Sequence, residues 1–159
     1  MKKRYILSSK KGFTLIEILL VIGIIAVLAT VVVVALDPAK RFADARDARR
    51  LSDMQSILSA VQQYIVDNKG QLPYSLDTTE KQLGTGVTGC EMAYGICSVN
   101  VPYCLDLSGP LVKYLKTLPY DPANGSSERT HYSIQVDSNN IVTVRSCDST
   151  DETISSVSQ

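Results

Sequence analysis

Residues 10–36 read KKGFTLIEILLVIGIIAVLATVVVVAL. From Phe13 to Leu36 this is an apolar run of 24 residues broken by one charge, Glu17. As a helix rising about 1.5 Å per residue it would reach about 36 Å. A hydrocarbon layer is about 30 Å thick, so the run can cross it with some tilt. Val31–Val34 are β-branched and disfavour helix in water. In lipid every backbone group must pair within its own segment, so helix is still the expectation. Lys2, Lys3, Arg4, Lys10 and Lys11 precede the run with no acid among them. The positive-inside rule places that end in the cytoplasm and the rest of the chain outside. Lys40 and Arg41 beyond the run weaken the asymmetry without reversing it.

An ordinary secretory signal has a shorter apolar region, about 7–15 residues, followed by a small-residue cleavage site. Here VLAT at 27–30 offers such a site, but apolar residues continue past it. A cut between Gly12 and Phe13 would instead discard all five leader cations and keep the helix. A plain signal anchor accounts for the hydropathy but not for Glu17. An acid at mid-bilayer costs on the order of 2.5–3.5 kcal/mol, less near the interface, and usually marks a function or a partner. After such a cut the new Phe13 amine would stand one helical turn from Glu17. The two could pair within one chain, or Glu17 of one copy could meet the amine of the next. In a low-dielectric setting that pairing would neutralise two costly charges and set axial register between copies.

The stretch KKGFTLIEILLVIGIIAVLA, with its basic leader, Gly12, Phe13 and Glu17, resembles the class III signal of type IV pilins and of type II secretion pseudopilins. The resemblance implies that a prepilin peptidase cuts between Gly12 and Phe13 and methylates the Phe13 amine. It also implies that Glu17 guides assembly with other copies and related pilins, driven by pilus or secretion machinery with cytoplasmic ATPase motors. The fold it implies is α+β and pilin-like: a long N-terminal α-helix, membrane-spanning in its first half, packed against a small antiparallel sheet. YLKTLPYDPANG at 114–125 resembles the LP-x-DP-x-G region of major pseudopilins, although Ala123 replaces the usual aromatic.

The expected organisation follows. Residues 1–12 are a cleaved basic leader, 13–36 the transmembrane or filament-core helix, and 37–70 its amphipathic continuation. Residues 71–147 form a small disulfide-bonded head, and 148–159 a loose tail. Asp37-Pro38 reads either as an N-cap and first turn or as a kink. Leu51, Met54, Leu58, Val61 and Ile65 recur at steps of three and four, broadened by Ile57 and Tyr64, which makes one apolar stripe for docking on the chain's own sheet. Gly70 fits the C′ position. Lys40, Arg41, Arg46, Arg49 and Arg50, interrupted by Asp44 and Asp47, read as a solvated, salt-laced surface or as contacts to phospholipid headgroups or acidic neighbouring heads. Residues 71–108 read as irregular. Ser108–Pro119 reads as a short helix with Leu111, Leu115 and Leu118 inward. HYSIQV and IVTVRS read as strands joined by a hairpin loop at 137–140.

Four cysteines, Cys90, Cys97, Cys104 and Cys147, all lie beyond the membrane run. In an exported domain with a limited core they read as two disulfides. Cys147 follows the last strand and could tie it to the segment around Cys104, so the expected pairs are Cys90–Cys97 and Cys104–Cys147. No C-x-x-C occurs and His131 is the sole histidine, so no zinc site is expected. His131 reads as a strand-edge residue, with no catalytic set around it. GTGVTG at 84–89 matches a dinucleotide pattern but lacks the flanking strand and helix, and reads as a flexible loop. Asp121, Asn124, Asp137 and Asp148 offer hard oxygen ligands, as some pseudopilins use for calcium, but without an EF-hand pattern they read as solvated turns. Asn124-Gly125-Ser126 is a sequon that a prokaryotic source would leave unused. Residues 71–159 carry five basic against ten acidic side chains, which argues against general nucleic-acid binding.

The expected function is a structural, non-enzymatic subunit of a type IV pilus-like filament (a fimbrium). It needs no cofactor or metal, waits in the membrane with its head outside, and then joins an extracellular or periplasmic filament. The alternatives are a type II secretion pseudopilin and a non-polymerising, membrane-anchored extracellular binding domain.

Overall fold

The computed structural model describes residues 12–74, 76–151 and 155–159. The leader residues 1–11 and residues 152–154 of the expected tail lie outside the described residues. The chain divides into two compact units between Arg41 and Phe42.

The first unit holds α1, Leu15–Leu36. None of its residues is buried within the chain. It is apolar on every side, as a helix solvated by lipid rather than by one protein face must be. Asp37 ends it in the left-handed region at φ 40°, a conformation that Asp tolerates better than most residues. Asp37 then starts the next helix. Its carbonyl accepts from Arg41 N at 3.2 Å and its Oδ1 from Lys40 N at 3.4 Å. The N-cap reading of Asp37-Pro38 therefore holds, with Pro38 in the first turn where its missing N–H is harmless.

Helix α2 runs Pro38–Asp67. The Ile65 carbonyl accepts from Gly70 N at 2.8 Å, and Lys69 has φ 57°. This 6→1 bond is a Schellman ending with Lys69 at C′ and Gly70 at C″, one residue away from the expected place for the glycine. The apolar stripe is as expected: Met54, Ile57, Leu58 and Val61 are buried, and Leu51, Tyr64 and Ile65 pack around them.

The second unit continues with a four-stranded antiparallel meander. Its strands are β1, Lys81–Gln82, β2, Tyr132–Val136, β3, Val142–Ser146, and β4, Ser156–Ser158. Ile134, Val136, Val142 and Val144 alternate onto the face that meets α2. Tyr132 is wholly buried there, and its hydroxyl donates to Asp53 at 3.0 Å. Ser133 on the other face is buried as well. A smaller cluster of Met92, Cys97, Val99 and Cys147 lies on that side. Glu80 stitches it down, accepting from Ser133 Oγ at 2.5 Å and Ser98 N at 3.0 Å, with Arg145 Nη1 at 3.1 Å.

Several expectations are corrected. Residues 71–108 contain β1 and the bridges Leu83↔Leu105 and Met92↔Val99; the pairing is too short to leave a period-two signal. GTGVTG is pinned rather than free. Gly84 N bonds Leu105 O and Gly86 N bonds Glu128 O, and a Cβ at Gly84 would stand 2.1 Å from Glu128 O. Ser108–Leu118 is a series of turns rather than a helix. Pro110 cannot donate a bond, and Tyr114 is held by Asp67 at 2.7 Å and packs edge-on against Tyr64. Leu111 is nonetheless buried, with Leu115 and Leu118 beside the core. The tail is not all loose. β4 pairs with β3, Val157 reaches the core, and Thr150 and Ser149 bond Asp47.

The disulfides are Cys90–Cys104 and Cys97–Cys147, in place of the expected pairs. Cys104 N bonds Gly86 O, which brings Cys104 beside Cys90. Cys97 lies on the sheet next to the end of β3. The bridges are separated by 14 and 50 residues. On chain-entropy grounds they are worth about 3 and about 4 kcal/mol. Non-reducing peptide mapping should return these two pairs, and Cys97→Ser/Cys147→Ser should lower the unfolding midpoint more than Cys90→Ser/Cys104→Ser.

Candidate functional site

The N-terminal site is built on the first turn of α1. Phe13 is 85% exposed and precedes the N-cap, Thr14, whose backbone is extended. Thr14 Oγ1 accepts from Glu17 N at 3.3 Å. Glu17 Oε2 accepts from Thr14 N and from Thr14 Oγ1, both at 2.8 Å. This is a reciprocal capping box. The pattern Thr-x-x-Glu was present in the sequence, and the reading above passed over Thr14 because it weighed Glu17 only as a charge. The carboxylate therefore has an intrachain partner set. Further along, Thr30 Oγ1 donates back to Val27 O at 2.7 Å, which hides the remaining hydroxyl of the span. Among the described residues, α1 is the helix long and apolar enough to cross a membrane.

Gly12 has open space around it: a Cβ built there meets nothing within 4 Å. No packing contact among the described residues requires glycine at this position. The structure places Gly12, Phe13 and Glu17 within one short segment, and the four cysteines apart from it in the second unit.

The second unit has its own polar centre. Arg50, read above as part of a solvated cluster, is buried, as is Asp47. Arg50 Nε donates to Asp121 Oδ2 at 2.6 Å and Nη1 to Asp47 Oδ1 at 2.7 Å. Asp121 also accepts from the N–H groups of Ala123 and Asn124 at 2.8 and 2.9 Å. Burial alone would raise the Asp121 carboxyl, but Arg50 and those two N–H groups outweigh it and hold it below the usual carboxylate range. Burial likewise opposes ionisation of Asp47, and Thr150 and Arg50 overcome it. Asp121 is thus a structural anion rather than a solvated turn residue. Its partner, 71 residues away, carried no local signal.

The other candidate oxygen ligands are also engaged. Asp137 accepts from Asn139 N and Ile141 N, both at 2.8 Å. His131, at φ 62° just before β2, has Nδ1 2.7 Å from Asp148 Oδ2 and 2.9 Å from Tyr94 Oη. Asn124 Nδ2 donates to the same Asp148 oxygen at 3.2 Å. Among the described residues no group of three or more His, Cys, Asp or Glu side chains is placed to hold a metal ion.

The family profile described as the prokaryotic N-terminal methylation motif matches residues 7–33. That segment is similar to the class III signal of type IV pilin and pseudopilin prepilins. The matched segment contains Gly12, Phe13 and Glu17 and runs into the apolar helix α1. No curated protein and no solved structure gives a match.

The buried ion network sets a pH dependence. Both carboxyls are depressed in the folded state, so their stabilisation is complete above the unfolded value of about 3.9 and is lost as pH falls through the lower folded values. Arg50→Met should cost about 3–5 kcal/mol near neutrality, because it leaves buried carboxylates unpaired. The gap from the parent should narrow below about pH 4 as those carboxylates protonate. Denaturant titrations followed by circular dichroism at several pH values will check both the size and the trend.

Proposed function

We propose that this chain is a structural, non-enzymatic subunit of a type IV pilus-like filament. It is cut by a prepilin peptidase between Gly12 and Phe13, methylated on the Phe13 amine, and assembled through α1 with its own copies and related pilins. The observation that carries this reading is the methylation motif at 7–33, coupled to the single acid at the head of an otherwise apolar span. In the precursor that acid caps its own helix. After the cut a cationic amine stands at Phe13, and Glu17 pairs with the amine of a neighbouring copy. Moving α1 from lipid into a bundle of like helices replaces one apolar surrounding with another. The charge pair then supplies direction and register. The head lies outside the cytoplasm, where Cys90–Cys104 and Cys97–Cys147 persist. A secretion pseudopilin is the second reading, favoured by LPYDPANG at 118–125.

Mass analysis of the mature N-terminus should find N-methylated Phe13; an intact leader would leave the plain anchored domain standing. Gly12→Ala should leave the head folded, since the added methyl touches nothing, yet accumulate uncut precursor on immunoblots. Glu17→Gln separates the two roles of the acid. An amide preserves the capping acceptor but not the charge, so cleavage and helix start survive while filaments disappear from electron micrographs. Abundant normal filaments from Glu17→Gln would sink the charge-pair account.

A further inference from the structure

Burial divides the basic cluster of α2 in two. Arg50 and Asp47 are buried, and Arg50 pairs with both Asp47 and Asp121. Phe42, Arg46 and Arg49 stay exposed. At about 100° per residue these three fall within about 60° of arc, with Arg50 about 70° and Asp47 about 130° round the helix from its centre. Asp44 lies well round the helix from them. Phe42 is 69% exposed, a large aromatic left in water by its own chain. Arg46 has no hydrogen bond or ion pair among the described residues, and Arg49 only grazes Asp53 at 3.7 Å. The side chains of Lys40 and Arg41, both exposed, precede the face.

We propose that Phe42, Arg46 and Arg49 form a docking face for anionic phospholipid headgroups on the outer surface of the membrane that α1 spans. This rests on the reading of α1 as a span given above. Phe42 stands six residues beyond Leu36 and Arg49 thirteen. The face is therefore the part of the second unit that follows the span most closely in the chain. Guanidinium forks match phosphate oxygens in two-point contacts. An aromatic ring among cations suits the boundary between headgroups and acyl chains. The same charges would be attracted to an acidic head of another copy, but that occupant gives Phe42 no apolar layer to enter. Lipid serves both halves of the face. The face would hold the waiting subunit against the bilayer until assembly lifts it away.

The chain contains no tryptophan, so Phe42→Trp introduces a single reporter. The full chain with this change is reconstituted into vesicles of phosphatidylcholine alone, or with about a third phosphatidylglycerol, each carrying brominated phosphatidylcholine as quencher. Quenching at position 42 should rise about twofold with phosphatidylglycerol. It should lose that increment in about 0.5 M salt and when Arg46→Glu and Arg49→Glu are added. Val66→Trp, at the far end of α2 and 78% exposed, should show no such increment. Equal quenching in the two lipids overturns the proposal. So does a position-42 signal that follows the number of copies per vesicle rather than lipid charge, which would assign the face to a second copy. Protein that fails to enter vesicles at all would instead overturn the spanning helix, a separate failure.

Discussion

The second unit depends on one guanidinium. Arg50 projects from α2 into the buried interior and meets Asp121 on one side and Asp47 on the other. Desolvating three charges is costly, and the cost is offset by short charge-assisted contacts to Arg50 and by further N–H and O–H donors to both carboxylates. Asp121 therefore does more than balance charge. Its second oxygen gathers the N–H groups of Ala123 and Asn124, shaping the turn that follows the LP-x-DP stretch. Its own backbone N–H bonds Thr130 O at the entrance to β2. Asp47, through Thr150 and Ser149, holds the segment leading to β4. Two residues of one helical turn, Asp47 and Arg50, thus fix a loop and the segment before the C-terminal strand. The apolar stripe below it supplies area, and the ion network supplies position, because burial of methyl groups alone tolerates sliding and a buried charge pair does not.

Periodic features were legible in the sequence and long-range ones were not. The 24-residue apolar run has one physical solution in lipid, and the three-and-four spacing from Leu51 to Ile65 has one in water. Both appear as read. The pair Ile134/Val136 facing Val142/Val144 followed from alternation. β1 was illegible because two residues carry no period, and β4 because its Ser-Val-Ser looks like tail composition. The disulfide pairing failed for a topological reason. Adjacency in sequence suggested Cys90–Cys97, but the backbone bond from Cys104 to Gly86 folds the loop so that Cys90 meets Cys104 instead. Arg50 was misjudged because its neighbours in sequence, Arg46 and Arg49, are solvated, and only helical phase separates it from them. The capping box was legible, because Thr14-x-x-Glu17 before an apolar run is a local pattern.

At Glu17 the two solvents of this chain meet. A helix that is apolar on every face packs nearly as well at any axial offset, since leucine, isoleucine and valine present similar surfaces along its length. Such a helix has affinity for its kind without register. A charge in a low-dielectric setting has the opposite character: attraction that falls steeply with distance, and a penalty when unmatched. On the proposed reading, the precursor hides this demand inside the capping box, where Thr14 satisfies the carboxylate locally. On the same proposal, cleavage of the Gly12–Phe13 bond, one residue before the capping partner Thr14, adds a cation without disturbing the helix start. The leader thus acts as more than an address. While it remains attached, the backbone nitrogen of Phe13 is a neutral amide, and the apolar helix has nothing with which to match a neighbour's acid. On that proposal, assembly competence and removal of the leader are a single chemical event.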